Sequence, residues 1–454
     1  MPLLQPATRR RFLSQGCCAA AASTVFSGFG GFGLINALAQ QTAPDYKALV
    51  GIFMFGGNDG NNLLVPLGAQ DYGAYSSARG PLTLAQGALL PIQPVTAPQP
   101  FGLHPKLAEI RALFDQGKAA LLCNVGLLVR PLSRTEYLGR TAPLPVNLFS
   151  HADQQAQWQT SLPNGLGNSG WAGRTADQVQ ASSTGFPTIV TVAGNNIFCV
   201  GNQTRPASFV PGSSAVFQGF DSSAVAQARL SAMQQLLSFD SGISLVQSAS
   251  GITGNAFKYG QLLTDALAGA AKLQTVFPKT SLGAQLQEVA NIIQVRAALG
   301  MKRQIFFCAL SGFDTHSNQL PDQDQLFSEL SPALGAFYQA TVEMGVAPAV
   351  TSFTLSDFGR TLKPASGLGS DHAWGNHHMI VGGAVQGGDL YGQFPTMALG
   401  GPNDAGSEGR WIPTTSLDQY AATLASWFGV TPASLGAVFP NLGNFAAPTL
   451  KFLG

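Results

Sequence analysis

The chain has 454 residues, of which 45% are apolar and only 10% are Asp, Glu, Lys or Arg, well under the roughly 25% charged residues of an ordinary soluble domain. That composition excludes disorder as the main state and supplies enough apolar surface for one large α/β domain or two smaller ones. Lys plus Arg number 24 against 23 Asp plus Glu. This near balance gives no global attraction to nucleic acid or acidic membranes, and no nucleic-acid partner is expected.

At the N-terminus, Arg9-Arg10-Arg11-Phe12-Leu13 precedes a weakly apolar stretch that ends in Ala37-Leu38-Ala39, a small-x-small cleavage pattern. This order predicts a twin-arginine signal peptide over residues 1–39 and a mature protein that is periplasmic or extracellular. No other segment has the ~18 uninterrupted apolar residues of a membrane span. Of the five cysteines, Cys17 and Cys18 fall in the leader. Cys123, Cys199 and Cys308 read as buried small apolar residues, with a bridge from Cys199 to Cys123 or Cys308 left open.

Ala48 to Phe55 is a short apolar run that opens into Gly56-Gly57-Asn58-Asp59-Gly60, the pattern of a buried strand entering a tight loop. Similar runs recur at Ala119–Val125, Thr188–Val192, Ile305–Leu310, Ala349–Leu355 and Met379–Val385. Leu282–Leu299, Leu320–Met344 and Leu417–Phe428 carry apolar residues at helical spacing. Buried strands alternating with amphipathic helices predict an α/β fold with a mainly parallel sheet covered on both faces. One domain over 45–430 is expected, with an irregular Gly/Asn/Ser/Pro-rich insertion near 161–220 and a coil tail over 431–454.

Only six histidines exist, and they cluster. Asp314-Thr315-His316 follows the fourth run, and residues i and i+2 of an extended chain point to one side. Asp357 and Arg360 follow the fifth run, while Asp371-His372 and His377-His378 precede the sixth. The carboxyl ends of parallel strands are where α/β sheets bind ligands. Carboxylate oxygens and neutral imidazole nitrogens are the usual ligands of Zn, Mn or Fe, so Asp59, Asp314, His316, Asp357, His372 and His377 are candidate metal ligands. The plainer readings are a turn cap for Asp59 and, for His377-His378, one ring in the core and one in solvent. Ser150, where a Pro-rich loop gives way to a helical pattern, is either an N-cap with Asp153 at the third helical position or a nucleophile at a helix start. His104 reads as a packing or helix-start histidine.

Gly56-Gly57-Asn58-Asp59-Gly60-Asn61-Asn62, Gly312-Phe313-Asp314-Thr315-His316, Ser356-Asp357-Phe358-Gly359-Arg360-Thr361 and Asp371-His372-Ala373-Trp374-Gly375-Asn376-His377-His378 together resemble the signature blocks of the domain of unknown function 1501 family, exported bacterial proteins. That family is similar in turn to the alkaline phosphatase and sulfatase superfamily. The resemblance implies a three-layer α/β/α fold and metal-dependent hydrolysis of phospho- or sulfo-esters. Asp59 then holds a metal from the first strand, Asp314 and His316 form a ligand pair, and Asp357 serves a second ion. His372 or His377 is the late ligand, and Ser150 is the nucleophile. Arg360 or Asn62 binds the non-bridging oxygens, and one or two divalent ions (Zn, Mn, Fe or Ca) are required. No Cys or Ser begins the Cys/Ser-x-Pro-x-Arg motif of formylglycine sulfatases, which makes a phosphate ester, small or oligomeric, the expected substrate over a sulfate. The alternative is a non-catalytic exported scaffold or binding protein holding at most one structural ion on the same fold.

Overall fold

The computed structural model describes residues 45–165, 167–179, 185–213, 220, 223–240 and 242–454. The expected signal peptide lies outside the described residues. A central sheet is built from nine strands: β1 (Lys47–Phe55), β2 (Ala119–Gly126), β3 (Ile189–Thr191), β4 (Ala207–Ser208), β5 (Arg303–Ser311), β6 (Val350–Ser356), β7 (Asn376–Gly382), β8 (Leu390–Gly392) and β9 (Thr415–Ser416). Their order is β8-β2-β7-β6-β1-β5-β3-β4, with β9 beside β2. All pairings are parallel except those of β7, which runs antiparallel to both β2 and β6.

The middle of the sheet explains why the apolar runs were uninterrupted. Leu49, Val50, Ile52, Phe53 and Met54 of β1 are fully buried, as expected for a strand covered on both faces. The main apolar cluster joins Leu49, Phe53, Ile305, Phe353 and Ile380 from the strands to Tyr420, Leu424 and Phe428 of the helix Leu417–Phe428. That helix begins with a reciprocal capping box between Ser416 and Gln419, which satisfies two otherwise unpaired backbone amides. The helices Ser281–Gln294 and Gln319–Glu343 fall where the helical spacing placed them.

Two segments depart from expectation. Residues 161–220 are not simply irregular: they supply the helix Trp171–Asp177 and two short strands that extend the sheet beyond β5. Three- and two-residue strands are too brief to leave an alternating signature. The tail includes a short helix, Leu435–Val438, and inserts Phe439, Leu442 and Phe452 into the main core. Cys123, Cys199 and Cys308 are free thiols and buried, so the open question of a bridge resolves to none. Among the described residues, no helix is long and apolar enough to cross a membrane.

Strand register sets the position of the site. Phe55 aligns with Ser311 and Met54 with Ser356, so β1, β5 and β6 end together and release residues 56–60, 312–319 and 357–361 at one edge. Because β7 is antiparallel, its amino end reaches the same edge and brings residues 371–376 with it.

Candidate metal centre

Two close approaches lock the loops of this edge together. Gly56 has a φ of +114°, and a Cβ there would lie 2.3 Å from the backbone nitrogen of Asp314; only glycine fits. Gly369 sits equally tightly on the loop of His316, where a Cβ would come within 2.0 Å of the His316 carbonyl carbon. The Asp314–His316 segment is thus clamped between the β1 loop and the loop that leads to His372.

The helix His151–Thr160 supplies a further imidazole. Ser150 is its N-cap, and His151 its first residue. The rings of His151 and His372 both lie on buried Phe358, at centroid distances of 4.7 and 4.6 Å.

Three imidazoles converge on one carboxylate oxygen. Asp314 Oδ1 is 3.2 Å from His316 Nε2, 3.4 Å from His151 Nε2 and 3.5 Å from His372 Nε2. The Nε2 atoms of His316 and His372 are 2.9 Å apart. Ligand atoms of His151, Asp314 and His372 all lie within 4.8 Å of one another.

Each ring is oriented from its other nitrogen. His151 Nδ1 faces Asp357 Oδ2 at 2.7 Å, His372 Nδ1 faces the Phe149 carbonyl oxygen at 2.8 Å, and His316 Nδ1 faces Asp371 Oδ1 at 3.3 Å. A carbonyl or carboxylate oxygen can only accept, so His151 and His372 donate from Nδ1 to the Asp357 carboxylate and the Phe149 carbonyl, and in the neutral tautomer that does so Nε2 is free to accept or to ligate. His151 Nε2 is buried and has no hydrogen-bond partner. Outer carboxylates and carbonyls that fix ring orientation in this way are the usual second layer of a metal site.

The charges around the convergence point act in opposite directions, since Arg360 donates to the same Asp314 Oδ1 that the rings face. Burial works to raise the pKa of Asp314, but the hydrogen bond and charge of Arg360 outweigh it and hold the carboxyl below its ordinary range. The Asp357 hydrogen bond raises the pKa of His151, whereas burial lowers that of His372. The 2.9 Å contact of the His316 and His372 Nε2 atoms is met either by a proton on one of the rings or by a cation between them. Ligand bonds of about 2.0–2.1 Å in tetrahedral array place neighbouring donor atoms roughly 3.3 Å apart, close to the separations of Asp314 Oδ1 from the three Nε2 atoms.

The other sequence candidates have different partners. Asp59, fully buried, pairs with Arg79 and also accepts from Gln319 Nε2 at 2.6 Å and Asn61 N at 3.1 Å, so its oxygens are spent on a neighbouring buried network. Asp357 accepts from Gln155 Nε2 at 2.7 Å and Gly56 N at 3.2 Å besides facing His151, which makes it an orienting carboxylate. Arg360 donates to the carbonyls of Gly56, Gly57 and Ser370 at 2.6, 2.9 and 2.7 Å and to Asp314 at 2.5 Å; it positions Asp314 and has no side free for a substrate oxygen. His377 Nδ1 accepts from the Asn124 amide at 3.1 Å, and its ring stacks on Phe394. Burial pushes its pKa down to about 3, so it is a neutral core residue apart from the cluster. Asn62 is tied to Leu82, Tyr75 and Arg79. Ser150 Oγ donates to Asp153 Oδ2 at 2.6 Å, a cap that turns the hydroxyl to its own helix. His104 packs edge-on against Phe327, as a packing histidine does.

His151 is the ligand candidate that the sequence reading passed over, since attention to Ser150 and Asp153 beside it filled the motif. Its signal was available: one of only six histidines, placed at a helix start after a Pro-rich turn.

The profile of a family described as "Protein of unknown function (DUF1501)" matches residues 46–404. The chain belongs to the DUF1501 family. All four converging residues of this DUF1501 chain lie within the matched span. No curated protein sequence matches it. Among solved structures, it is similar to the C-terminal periplasmic domain of EcEptC from Escherichia coli, with 10% identity, 86% of this chain and 84% of that chain covered, and a TM-score of 0.33. It is also similar to the PsFucS1 sulfatase from Pseudoalteromonas sp., with 10% identity, coverages of 85% and 73% and a TM-score of 0.32. Phosphonate monoester hydrolase of Agrobacterium radiobacter gives 10% identity, coverages of 85% and 74% and a TM-score of 0.31. At these scores the likenesses say nothing about the chemistry of the DUF1501 site.

Proposed function

We propose that this DUF1501 chain is an exported, metal-dependent hydrolase of phosphate esters on a three-layer fold like that of alkaline phosphatase. His151, His316 and His372, through Nε2, and Asp314, through Oδ1, hold one divalent cation. The observation that carries the reading is the convergence of four electron-rich atoms, each ring fixed from its far side by an acceptor. Such a cation lowers the pKa of a bound water and draws charge from the ester oxygen.

Asp357, Asp371 and the Phe149 carbonyl keep the Nδ1 protons in place, and Arg360 holds Asp314 ionised. Asp314 and His316 are about half exposed, at 49% and 46% of their side chains, so the solvent side of the cluster leaves room for an exchangeable ligand. Because the Ser150 hydroxyl is occupied by Asp153, a water nucleophile is preferred over the serine. The ester class follows the resemblance of the motif blocks to the phosphatase superfamily.

A second reading, a structural ion on a non-catalytic exported protein, is favoured by one feature: four protein donors can close a tetrahedral shell, as in structural zinc sites. Metal analysis of protein purified without chelators, followed by p-nitrophenyl phosphate hydrolysis, separates the two. About one equivalent of metal, with turnover abolished by chelation and in Asp314→Ala, supports the hydrolase. Metal with no turnover on an ester panel supports the structural ion, and absence of bound metal overturns both.

A further inference from the structure

A cavity of about 360 Å³ is lined by Tyr137, Leu138, Arg140, Leu144, Pro145 and Leu148, the last of them two residues before Ser150, the N-cap of the helix that carries His151. Five of the six are apolar or aromatic, and Arg140 is exposed with no side-chain partner among the described residues. The cavity rests on an apolar cluster in which Tyr137, Leu144, Leu148 and Phe149 pack on Trp374, Ile412 and Phe445.

Both walls are tied to ligand residues. Leu148 directly precedes Phe149, whose carbonyl fixes His372, and consecutive Cα atoms are about 3.8 Å apart. On the other wall, the Tyr137 ring lies 5.7 Å from that of Trp374, two residues beyond His372. The connecting loop is also held in costly backbone: Arg140, Asn147 and Phe149 have φ of +51°, +49° and +72°, and such residues cost on the order of 1–3 kcal/mol each unless the surroundings impose them. Here they are imposed, since Phe149 N donates to Gln154 Oε1 at 2.8 Å, Asn147 Nδ2 to Asp153 Oδ1 at 3.1 Å, and Val146 is held by Gln157 and Pro163. The strained turn keeps the apolar wall next to the imidazoles.

Resting on the proposed hydrolase reading, we infer that the substrate is an anionic ester of a bulky apolar alcohol, aryl or branched alkyl, whose apolar group occupies the Tyr137–Leu148 cavity while its anionic group meets the His/Asp cluster. Ligand sites of this kind combine an apolar wall with a few convergent polar groups, and Arg140 at the rim disfavours cationic substituents.

The test is calorimetric titration of zinc-loaded protein with phenylphosphonate and with methylphosphonate, which share the headgroup and differ in the apolar part. Phenylphosphonate is expected to bind at least tenfold more tightly. That preference should fall to threefold or less in Leu138→Asp and Leu144→Ala, both checked for an unchanged melting transition; Leu138 is exposed and tolerates the change in the fold. Equal binding of the two phosphonates, or a preference that survives both substitutions, overturns the cavity assignment and leaves the metal reading intact. No binding of either, or binding indifferent to Asp314→Ala, overturns both.

Discussion

His316 and His372 approach Nε2 to Nε2 at 2.9 Å while the Phe149 carbonyl accepts at 2.8 Å on the far side of the His372 ring, an arrangement that suits a cation held between the two. The predicted consequence is selective metal loss. His151→Ala is expected to lower metal affinity at least a hundredfold, and Asp357→Asn, which changes only what His151 Nδ1 faces, about 10- to 100-fold. His377→Ala, a change in the core, is expected to retain stoichiometric metal while melting earlier. Competition titration against a chromogenic chelator reads all three, and equal affinity in His151→Ala and the parent counts against the site.

Ser150→Ala distinguishes a cap from a nucleophile. Loss of a serine N-cap costs about 1 kcal/mol of stability, and turnover is expected to stay within about threefold of the parent at a temperature where both are folded. Loss of a thousandfold or more, with metal content unchanged, would restore the serine to the chemistry.

Arg79 and Asp59 are both buried. Removing one partner strands a charge, so Arg79→Met is expected to cost about 3–5 kcal/mol in a urea titration. Asp59→Leu added to Arg79→Met should recover much of that loss, because an apolar pair replaces an ion pair at little net cost. Failure of the double variant to recover would mean that the Gln319 and Asn61 bonds to Asp59, and not the ion pair, carry the stability.

Asp418 gives a pH signature away from the cluster. Its carboxyl accepts from Ser161 through Oδ1 while Oδ2 is buried without a partner, and burial raises its pKa to about 7 from 3.8. Between those values the folded state holds a proton that the unfolded state has released, so this group lowers stability as pH rises through the window and adds nothing further above it. Asp418→Asn should therefore match the parent near pH 4 and become progressively more stable up to about pH 7. Melting temperatures of the two proteins across pH 4–8 check this, and a constant difference would exclude it.

What could be read in advance was set by local pattern. β1, β5 and β6 were legible because burial on both faces forces apolar runs, and Asp314 with His316 because two-residue spacing in extended chain puts side chains on one side. The fates of Asp59 and Arg360 were not legible. Arg79, which takes the Asp59 carboxylate, lies on the helix Ala69–Arg79, and nothing in the spacing of 20 residues announces the pairing. Likewise, Arg360 is consumed by carbonyls of glycines 303 and 304 residues away in sequence. His377 read as a candidate ligand, and His377-His378 as one ring in the core and one in solvent, but both lie near the start of β7 inside the core, where each ring stacks on an aromatic neighbour.

The donors around Asp314 come from segments far apart in sequence: His316 and His372 are separated by 56 residues, and His151 from its orienting Asp357 by 206. An ion gripped by them acts as a removable cross-link that closes loops of those lengths, and closing long loops takes the most disorder out of the unfolded chain. The donor set is complete only once His372, the last of these residues in chain order, has been made. The departure of the ion would slacken the start of the helix His151–Thr160, the β5 loop and the β7 approach in a single event.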